Sequence, residues 1–153
     1  MTYIEAYSHN NGELEWNKRD QFEWLTDIFE APSIKIEKGC TTKIREHIRK
    51  QLDIQGWSGE VKIDSSHELT VFSMKDDLAF QIQTGNISRA PYDLLKMQYL
   101  YTAKKIDACA LAVPSQTAAQ KIGSNIANFN RIMTELNLFN RVISVPLLLI
   151  SFE

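Results

Sequence analysis

Two glutamines, one residue apart, are the residues with the clearest chemical potential in this chain. They lie in the segment AFQIQTGNISR at positions 79–89. Strand alternation places Gln81 and Gln83 on one face and Phe80 and Ile82 on the other. Two neutral amides can hydrogen-bond a phosphate or a water molecule, whereas a catalytic face would more often carry carboxylates. The alternative is that both glutamines are ordinary polar residues on an open sheet face.

The residues that follow the glutamines favour an anion site. Thr84, Gly85 and Asn86 break the strand, and Asn86, Ser88 and Arg89 then open a helix. Free backbone N–H groups at a helix start attract anions, and arginine can bind phosphate with two hydrogen bonds. Asn86 or Ser88 could instead simply cap the helix, and the two roles are compatible.

Further charged residues could extend this site. A helix expected near 41–52 carries basic side chains that could form a DNA-binding surface together with Lys104 and Lys105; its basic residues are Lys43, Arg45, Arg49 and Lys50. Asp64 and Asp77 are candidate metal ligands. The alternative for all these charges is a solvated surface, on which ion pairs contribute little.

The elements around the glutamines follow from hydrophobic spacing. We predict helices near 14–29, 41–52, 87–102 and 116–136, and strands near 61–64, 69–74, 78–83, 108–113 and 142–152, with a possible edge strand at 2–8. Lys75, Asp76 and Asp77 mark a hairpin, and Pro146 is expected to bend the last strand or place it at an edge. This order predicts an α/β fold in which helices flank a mixed central sheet.

Composition limits the class of protein. The 153 residues suit a single domain, and a net charge of −2 means that nucleic-acid binding would need a local basic patch. Cys40 and Cys109 are far apart and predict neither a disulfide framework nor a zinc site. Because no segment reads as a signal peptide or a membrane span, we expect a cytoplasmic protein without membrane contact.

The segment HELTVFSMKDDLAFQIQTGNISRAPYDLLKMQYLY at 67–101 resembles the core of the PD-(D/E)XK restriction-endonuclease-like superfamily, and most of all its BglII/BstYI-like branch. In that branch a second-strand Asp precedes a third-strand Glu-x-Gln. The similarity extends over about 38–153, so residues 1–37 are expected to form an extension packed on a nuclease-like core. Gln83 matches the motif, but Gln81 replaces the Glu, and Thr70 or Phe72 replaces the Asp.

The resemblance implies phosphodiester hydrolysis in duplex DNA with Mg²⁺ as cofactor, and it makes Thr70, Gln81 and Gln83 the candidate catalytic positions. Since Mg²⁺ prefers charged oxygen ligands, the missing carboxylates predict impaired cleavage. Two hypotheses follow. One is a homodimeric DNA endonuclease of the type II restriction kind, or an impaired derivative of one. The other is a non-catalytic pseudonuclease that acts as a subunit, regulator or antagonist through contacts with a related protein.

Overall fold

The structure is a computed structural model that describes every residue from 1 to 153. The helices are α1 (Gly12–Asn17), α2 (Phe22–Asp27), α3 (Thr41–Ile54), α4 (Ala90–Thr102), α5 (Gln116–Ile122) and α6 (Phe129–Leu138), with a 3-10 helix at Ile87–Arg89. The strands are β1 (Tyr3–His9), β2 (Val61–Lys62), β3 (Thr70–Val71), β4 (Ser73–Lys75), β5 (Leu78–Ile82), β6 (Ala108–Pro114) and β7 (Leu147–Phe152). None of these helices combines the length and the apolar character needed to cross a bilayer.

Five strands form one sheet in the order β1-β7-β6-β5-β4, and β2 and β3 form a separate pair. Strands β5, β6 and β7 run parallel, whereas β1 is antiparallel to β7 and β4 is antiparallel to β5. The parallel pairs are joined through helices, as such connections require. The predicted mixed sheet flanked by helices is therefore confirmed.

The central strands β6 and β7 are buried along their whole length. Alternate residues face two apolar cores, one on each side of the sheet, as expected for parallel strands covered on both faces. Strand β7 lies between β1 and β6, so the expectation that Pro146 marks an edge strand is wrong. Pro146 precedes β7, and its carbonyl accepts a hydrogen bond from the Cys109 N–H at 2.9 Å.

The first strand and helix of the chain are tied closely to the main sheet. Strand β1 supplies one edge of that sheet, and the Trp16 indole N–H of α1 donates to the Cys109 carbonyl at 3.1 Å. Gly12 allows this approach, because a Cβ atom there would lie 2.2 Å from the Leu147 carbonyl group. The N-terminal residues thus complete the sheet instead of merely packing against it.

Two predicted long helices are each divided. The segment 14–29 contains most of α1 and all of α2, with Asp20 between them at a left-handed φ of 53°. The segment 116–136 contains α5 and the start of α6, and Asn125 in the connection has a φ of 57°. Helical spacing continues through both breaks, which explains why it did not reveal them.

The predicted strand at 69–74 is also divided, at Phe72. Strand β3 pairs with β2, whereas β4 pairs with β5 through the tight turn at Asp76 and Asp77. Phe72 therefore lies where the chain leaves one sheet and enters the other.

Candidate functional site

A polar cleft of about 570 Å³ lies at the C-terminal end of β5. We call it the amide cleft and define it by Gln81, Gln83, Arg45, Arg89, Asp93 and Lys96. The glutamines come from β5 and the segment directly after it, Arg45 comes from α3, and Asp93 and Lys96 come from the first two turns of α4. Because β5 leads into α4 through a short loop, the sequence places strand amides and helix charges on the same side of the sheet.

Asp93 joins the two glutamines. Gln81 Nε2 donates to Asp93 Oδ1 at 2.8 Å, and Gln83 Nε2 donates to Asp93 Oδ2 at 2.6 Å. The other amide atom of each side chain accepts from the backbone: Gln81 Oε1 from the Phe72 N–H at 2.9 Å and Gln83 Oε1 from the Gly85 N–H at 2.8 Å. Backbone donors and a carboxylate acceptor leave only one possible orientation for each amide.

These contacts exclude the open-face interpretation of the glutamines. Gln81 is 9% exposed, Gln83 is 8% exposed and Asp93 is 4% exposed. Buried polar groups at this level need partners, and each has them here. The two glutamines therefore belong to a buried network at the floor of a cleft.

Lys96 neutralises the Asp93 carboxylate. Its ammonium group lies 2.8 Å from Asp93 Oδ1 and donates to the Thr70 carbonyl at 2.7 Å. The Lys96 side chain is 14% exposed and that of Asp93 is 5% exposed, so solvent screens this pair little. Both carboxylate oxygens of Asp93 are thus engaged by donors within the chain.

Phe72 connects the amide cleft to the junction between the two sheets. Its N–H is bound by Gln81, and its carbonyl accepts from Arg49 Nη1 at 2.7 Å. The Arg49 guanidinium also lies 3.8 Å from the centroid of the Phe72 ring, which is a favourable cation–π distance. The backbone groups that the sheets leave unpaired at Phe72 are therefore satisfied by side chains.

Two arginines give the amide cleft its positive character. Arg45 Nη1 donates to the Ile82 carbonyl at 3.1 Å, and burial, together with the nearby charge of Arg49, lowers the pKa of the Arg45 side chain. The backbone N–H of Arg89 donates to the Asn86 carbonyl at 3.0 Å, whereas its exposed side chain makes no hydrogen bond or ion pair within the chain. With Lys96, three cations face a single carboxylate, so an anion entering the cleft would be attracted.

The donor set of the amide cleft suits an anion better than Mg²⁺. A magnesium site needs several oxygen ligands that point at one position. Here the amide oxygens accept from the backbone, the amide N–H groups point at Asp93, and the ammonium of Lys96 lies against that carboxylate. No group of three or more His, Cys, Asp or Glu side chains in the chain is arranged to hold a metal ion. The residues present do not fit the metal that the resemblance implies.

Comparison with known proteins identifies the family. A family model described as restriction endonuclease BglII/BglIII matches residues 4–152, which is nearly the whole chain. The chain belongs to the BglII/BglIII restriction endonuclease family. The match includes most of the segment 1–37, over which the motif alone gave no resemblance.

Solved structures of BglII share the fold of this family member. The crystal structure of BglII complexed with a DNA 16-mer aligns with a TM-score of 0.85 at 11% identity, covering 99% of this chain and 76% of BglII. Free BglII aligns with a TM-score of 0.74 at 11% identity, covering 100% of this chain and 80% of the other. None of the curated proteins matches significantly. At this identity the structural matches establish the architecture alone.

The predicted acidic ligands of this BglII/BglIII family member lie outside the amide cleft. Asp64 accepts hydrogen bonds from the Ser66 N–H at 2.9 Å and interacts with His67 at 2.9 Å. Asp77 pairs with Arg19 at the start of β5, the opposite end of that strand from Gln81. The expected grouping of these aspartates with the glutamines is absent from the structure.

The other predicted positions divide between the amide cleft and its surroundings. Thr70 contributes its carbonyl to Lys96, but its hydroxyl donates to Glu60 Oε1 at 2.7 Å, away from the glutamines. Asn86 accepts from the Ser88 N–H at 2.9 Å and so caps the 3-10 helix beside the cleft. Lys43 is exposed on α3 and does not line the cleft.

Two residues that define the amide cleft, Asp93 and Lys96, were not among the predicted site residues, whereas Arg45 was predicted only as one of the basic residues of α3. A signal for Asp93 exists in the sequence. It shares the buried face of α4 with Ala90, Leu94 and Met97, and a carboxylate on an apolar helix face needs a partner. Lys96 follows three residues later, at the spacing of a helical ion pair.

Proposed function

We propose that the chain binds the phosphate backbone of duplex DNA in the amide cleft and that Mg²⁺-dependent cleavage there is lost or strongly impaired. The proposal rests on the hydrogen bonds and the ion pair that engage the Asp93 carboxylate. This is the only carboxylate lining the cleft, and Gln81, Gln83 and Lys96 occupy both of its oxygens. The negative charge that would hold a metal is thereby compensated, while Arg45 and Arg89 remain available to an anion.

Several findings support DNA as the ligand. The family is one of restriction endonucleases, and one of the similar structures is a complex of BglII with DNA. The net charge of the chain is −2, so electrostatic attraction must come from a local patch, and the amide cleft concentrates three cations. Neutralising phosphates with such cations supplies most of the sequence-independent affinity of DNA-binding proteins.

A homodimer forms part of this proposal, because recognition sites of such enzymes tend to mirror two-fold protein symmetry. A related subunit could replace the second copy. In either case the cleft of each chain would contact one strand of the duplex.

The test compares two charge-neutralising variants in a DNA-binding titration that is monitored by fluorescence anisotropy. Arg89→Gln removes an exposed cation of the amide cleft. Arg141→Gln removes an exposed cation from the segment before β7, at the N-terminal end of the parallel strands, whereas the amide cleft lies at their C-terminal end. We expect Arg89→Gln alone to weaken binding and to reduce the slope of log K against log salt by about 0.9, the value for one lost phosphate contact. Equal effects of both variants would reject the cleft as the binding site.

The catalytic part is tested with plasmid and genomic DNA in Mg²⁺ or Mn²⁺. We expect no more cleavage than in a mock purification that lacks the protein. Cleavage that disappears in Gln83→Ala would contradict the proposal and would identify an active nuclease centre at these residues. If no duplex binds at all, a protein partner becomes the better hypothesis.

A further inference from the structure

A second pocket adjoins the amide cleft and differs from it in chemistry. We call it the tyrosine pocket; it has a volume of about 360 Å³, and Ile63, Leu69, Tyr92, Leu95 and Tyr99 form most of its lining. It shares Leu69, Tyr92 and Lys96 with the amide cleft, so the two concavities meet along a common wall. Its size lies within the range of small-molecule pockets, about 300–1,000 Å³.

The apolar lining of the tyrosine pocket is unusually exposed. Tyr92 is 65% exposed, Leu95 52%, Leu69 45% and Tyr99 43%. Single exposed apolar side chains are common on protein surfaces, but a group of them around one concavity marks a binding site. Two aromatic rings in such a site favour a flat, unsaturated ligand.

Charge separates the two concavities. The amide cleft presents Arg45 and Arg89, whereas the lining of the tyrosine pocket includes Asp64. Hydrogen bonds from Ser66 and His67 hold the pKa of Asp64 well below its usual range, so this carboxylate is ionised and repels phosphate. It can accept a hydrogen bond from an amino or imino group of a neutral ring.

We infer that the tyrosine pocket binds an unstacked nucleobase whose own strand lies with its phosphates in the amide cleft. This inference rests on the proposed DNA binding. Bases of an intact duplex are stacked inside and cannot reach a pocket beside the backbone, so the ligand is an extrahelical or single-stranded nucleotide. Such a base leaves the stack most easily where it is unpaired.

The dimensions of the tyrosine pocket argue for a base instead of a second copy of the chain. A stable protein interface buries about 800 Å² per partner with some 20–30 residues on each side. Here four exposed apolar side chains surround one cavity, and the polar residues Asp64, His67 and Lys96 complete its lining. A planar base can enter such a concavity, whereas a flat protein surface would leave it empty.

The experiment compares a fully paired duplex with the same duplex carrying one bulged 2-aminopurine. Binding is followed by anisotropy, and the fluorescence of the bulged base reports its environment. We expect the native chain to bind the bulged duplex about tenfold more tightly, which corresponds to the stacking contribution of one base on an aromatic side chain. Stacking on tyrosine should also quench the 2-aminopurine signal.

Three variants separate the pocket from general effects. Tyr99→Ala changes a ring that lines the tyrosine pocket but not the amide cleft, and it should abolish the preference for the bulged duplex while changing affinity for the paired duplex less than twofold. Tyr99→Phe keeps the ring and should retain the preference. Leu138→Ala is the control, because Leu138 is 74% exposed and lies on α6, outside both concavities.

Equal affinity of the native chain for both duplexes would overturn the inference and leave the amide cleft as the DNA site. Self-association in sedimentation that Tyr99→Ala abolishes would overturn it in favour of a second copy in the pocket. Absence of salt-dependent binding to either duplex would reject the proposed function together with the inference.

Discussion

Gln81 Nε2 donates a hydrogen bond to Asp93 Oδ1 across 2.8 Å, and this contact links strand β5 to helix α4. A carboxylate at position 81 would face Asp93 with a like charge, whereas the amide provides the donor that Asp93 needs. The same amide accepts from the Phe72 backbone on its other side. Glutamine at this position is therefore fitted to its surroundings, and its replacement affects folding as well as ligand binding.

Gln81→Glu should destabilise the fold at neutral pH by about 3 kcal/mol, because it leaves two buried carboxylates in contact. Repulsion between the introduced carboxylate and Asp93 raises the pKa of this pair in the folded state above the unfolded values. The folded state therefore binds a proton that the unfolded state has released. Stability should then rise as the pH falls from 7 toward about 4, the unfolded pKa of a carboxyl. Urea unfolding at several pH values measures this.

The matched control for Gln81→Glu is Gln120→Glu, since Gln120 is exposed on α5. It should change stability little at any pH. If Mg²⁺ stabilised Gln81→Glu but not the native chain, the added carboxylate would have restored a cation site, as ligand linkage requires.

Asp93→Asn should separate stability from anion binding. It deprives Lys96 of its charge partner and leaves the amide groups of the two glutamines competing for a neutral acceptor, so we expect a loss of about 3 kcal/mol. The removal of the only carboxylate in the amide cleft should at the same time strengthen DNA binding, provided that the variant is assayed below its unfolding temperature. Weaker DNA binding by the folded variant would argue that Asp93 itself contacts the ligand.

Asp77→Asn tests the ion pair at the opposite end of β5. A hydrogen bond from Arg19 lowers the pKa of Asp77, so the pair stabilises the fold above the unfolded pKa of about 3.9 and ceases to do so as the pH falls through the lower folded value. Because both side chains are partly exposed, we expect a loss of only about 0.5 kcal/mol at pH 7.

Thermal unfolding at pH 7 and pH 2 should show that the Asp77→Asn difference narrows in acid. Asp76→Asn is the control: Asp76 is exposed at the same turn with a φ of 50°, which asparagine tolerates. DNA affinity should be unchanged in both variants, and a large loss in Asp77→Asn alone would place Asp77 in the functional site.

Gly12→Ala should destabilise the fold by about 3 kcal/mol, because its Cβ would overlap the backbone of Leu147 and Leu148, neither of which can rotate away. Gly59→Ala is the control, since nothing lies within 4 Å of a Cβ at that position. Urea unfolding followed by tryptophan fluorescence is suitable, because Trp16 on α1 stacks on Trp57 at 5.8 Å. Equal stability of the two variants would mean that α1 can shift away from β7 at little cost.

The strand predictions succeeded where residue types alone determine the structure. The apolar run at 108–113 forms β6, and the alternation of 78–83 correctly separates the glutamine face from the Phe80 face. The hairpin at 75–77 follows from turn chemistry. These features depend on neighbours in the sequence, which the sequence displays directly.

The division of the segment 69–74 could not be predicted in the same way. Its residues suit one continuous strand, and the break at Phe72 depends on side chains from β5 and α3 that bind its backbone. The burial of Gln81 and Gln83 likewise depends on Asp93, twelve and ten residues away in the sequence, and on Lys96 beyond it. Such tertiary partners become apparent only when the helix is placed on the sheet.

The bond between the Phe72 N–H and Gln81 Oε1 has a practical consequence. This backbone proton is buried, and its partner is a side chain of the cleft floor instead of a neighbouring strand. Its rate of exchange with deuterated solvent therefore reports on the integrity of that floor more directly than on the ladder of the sheet. A single resonance in a heteronuclear spectrum would thus reveal whether an occupant tightens or disturbs the glutamine network, without any label on the occupant.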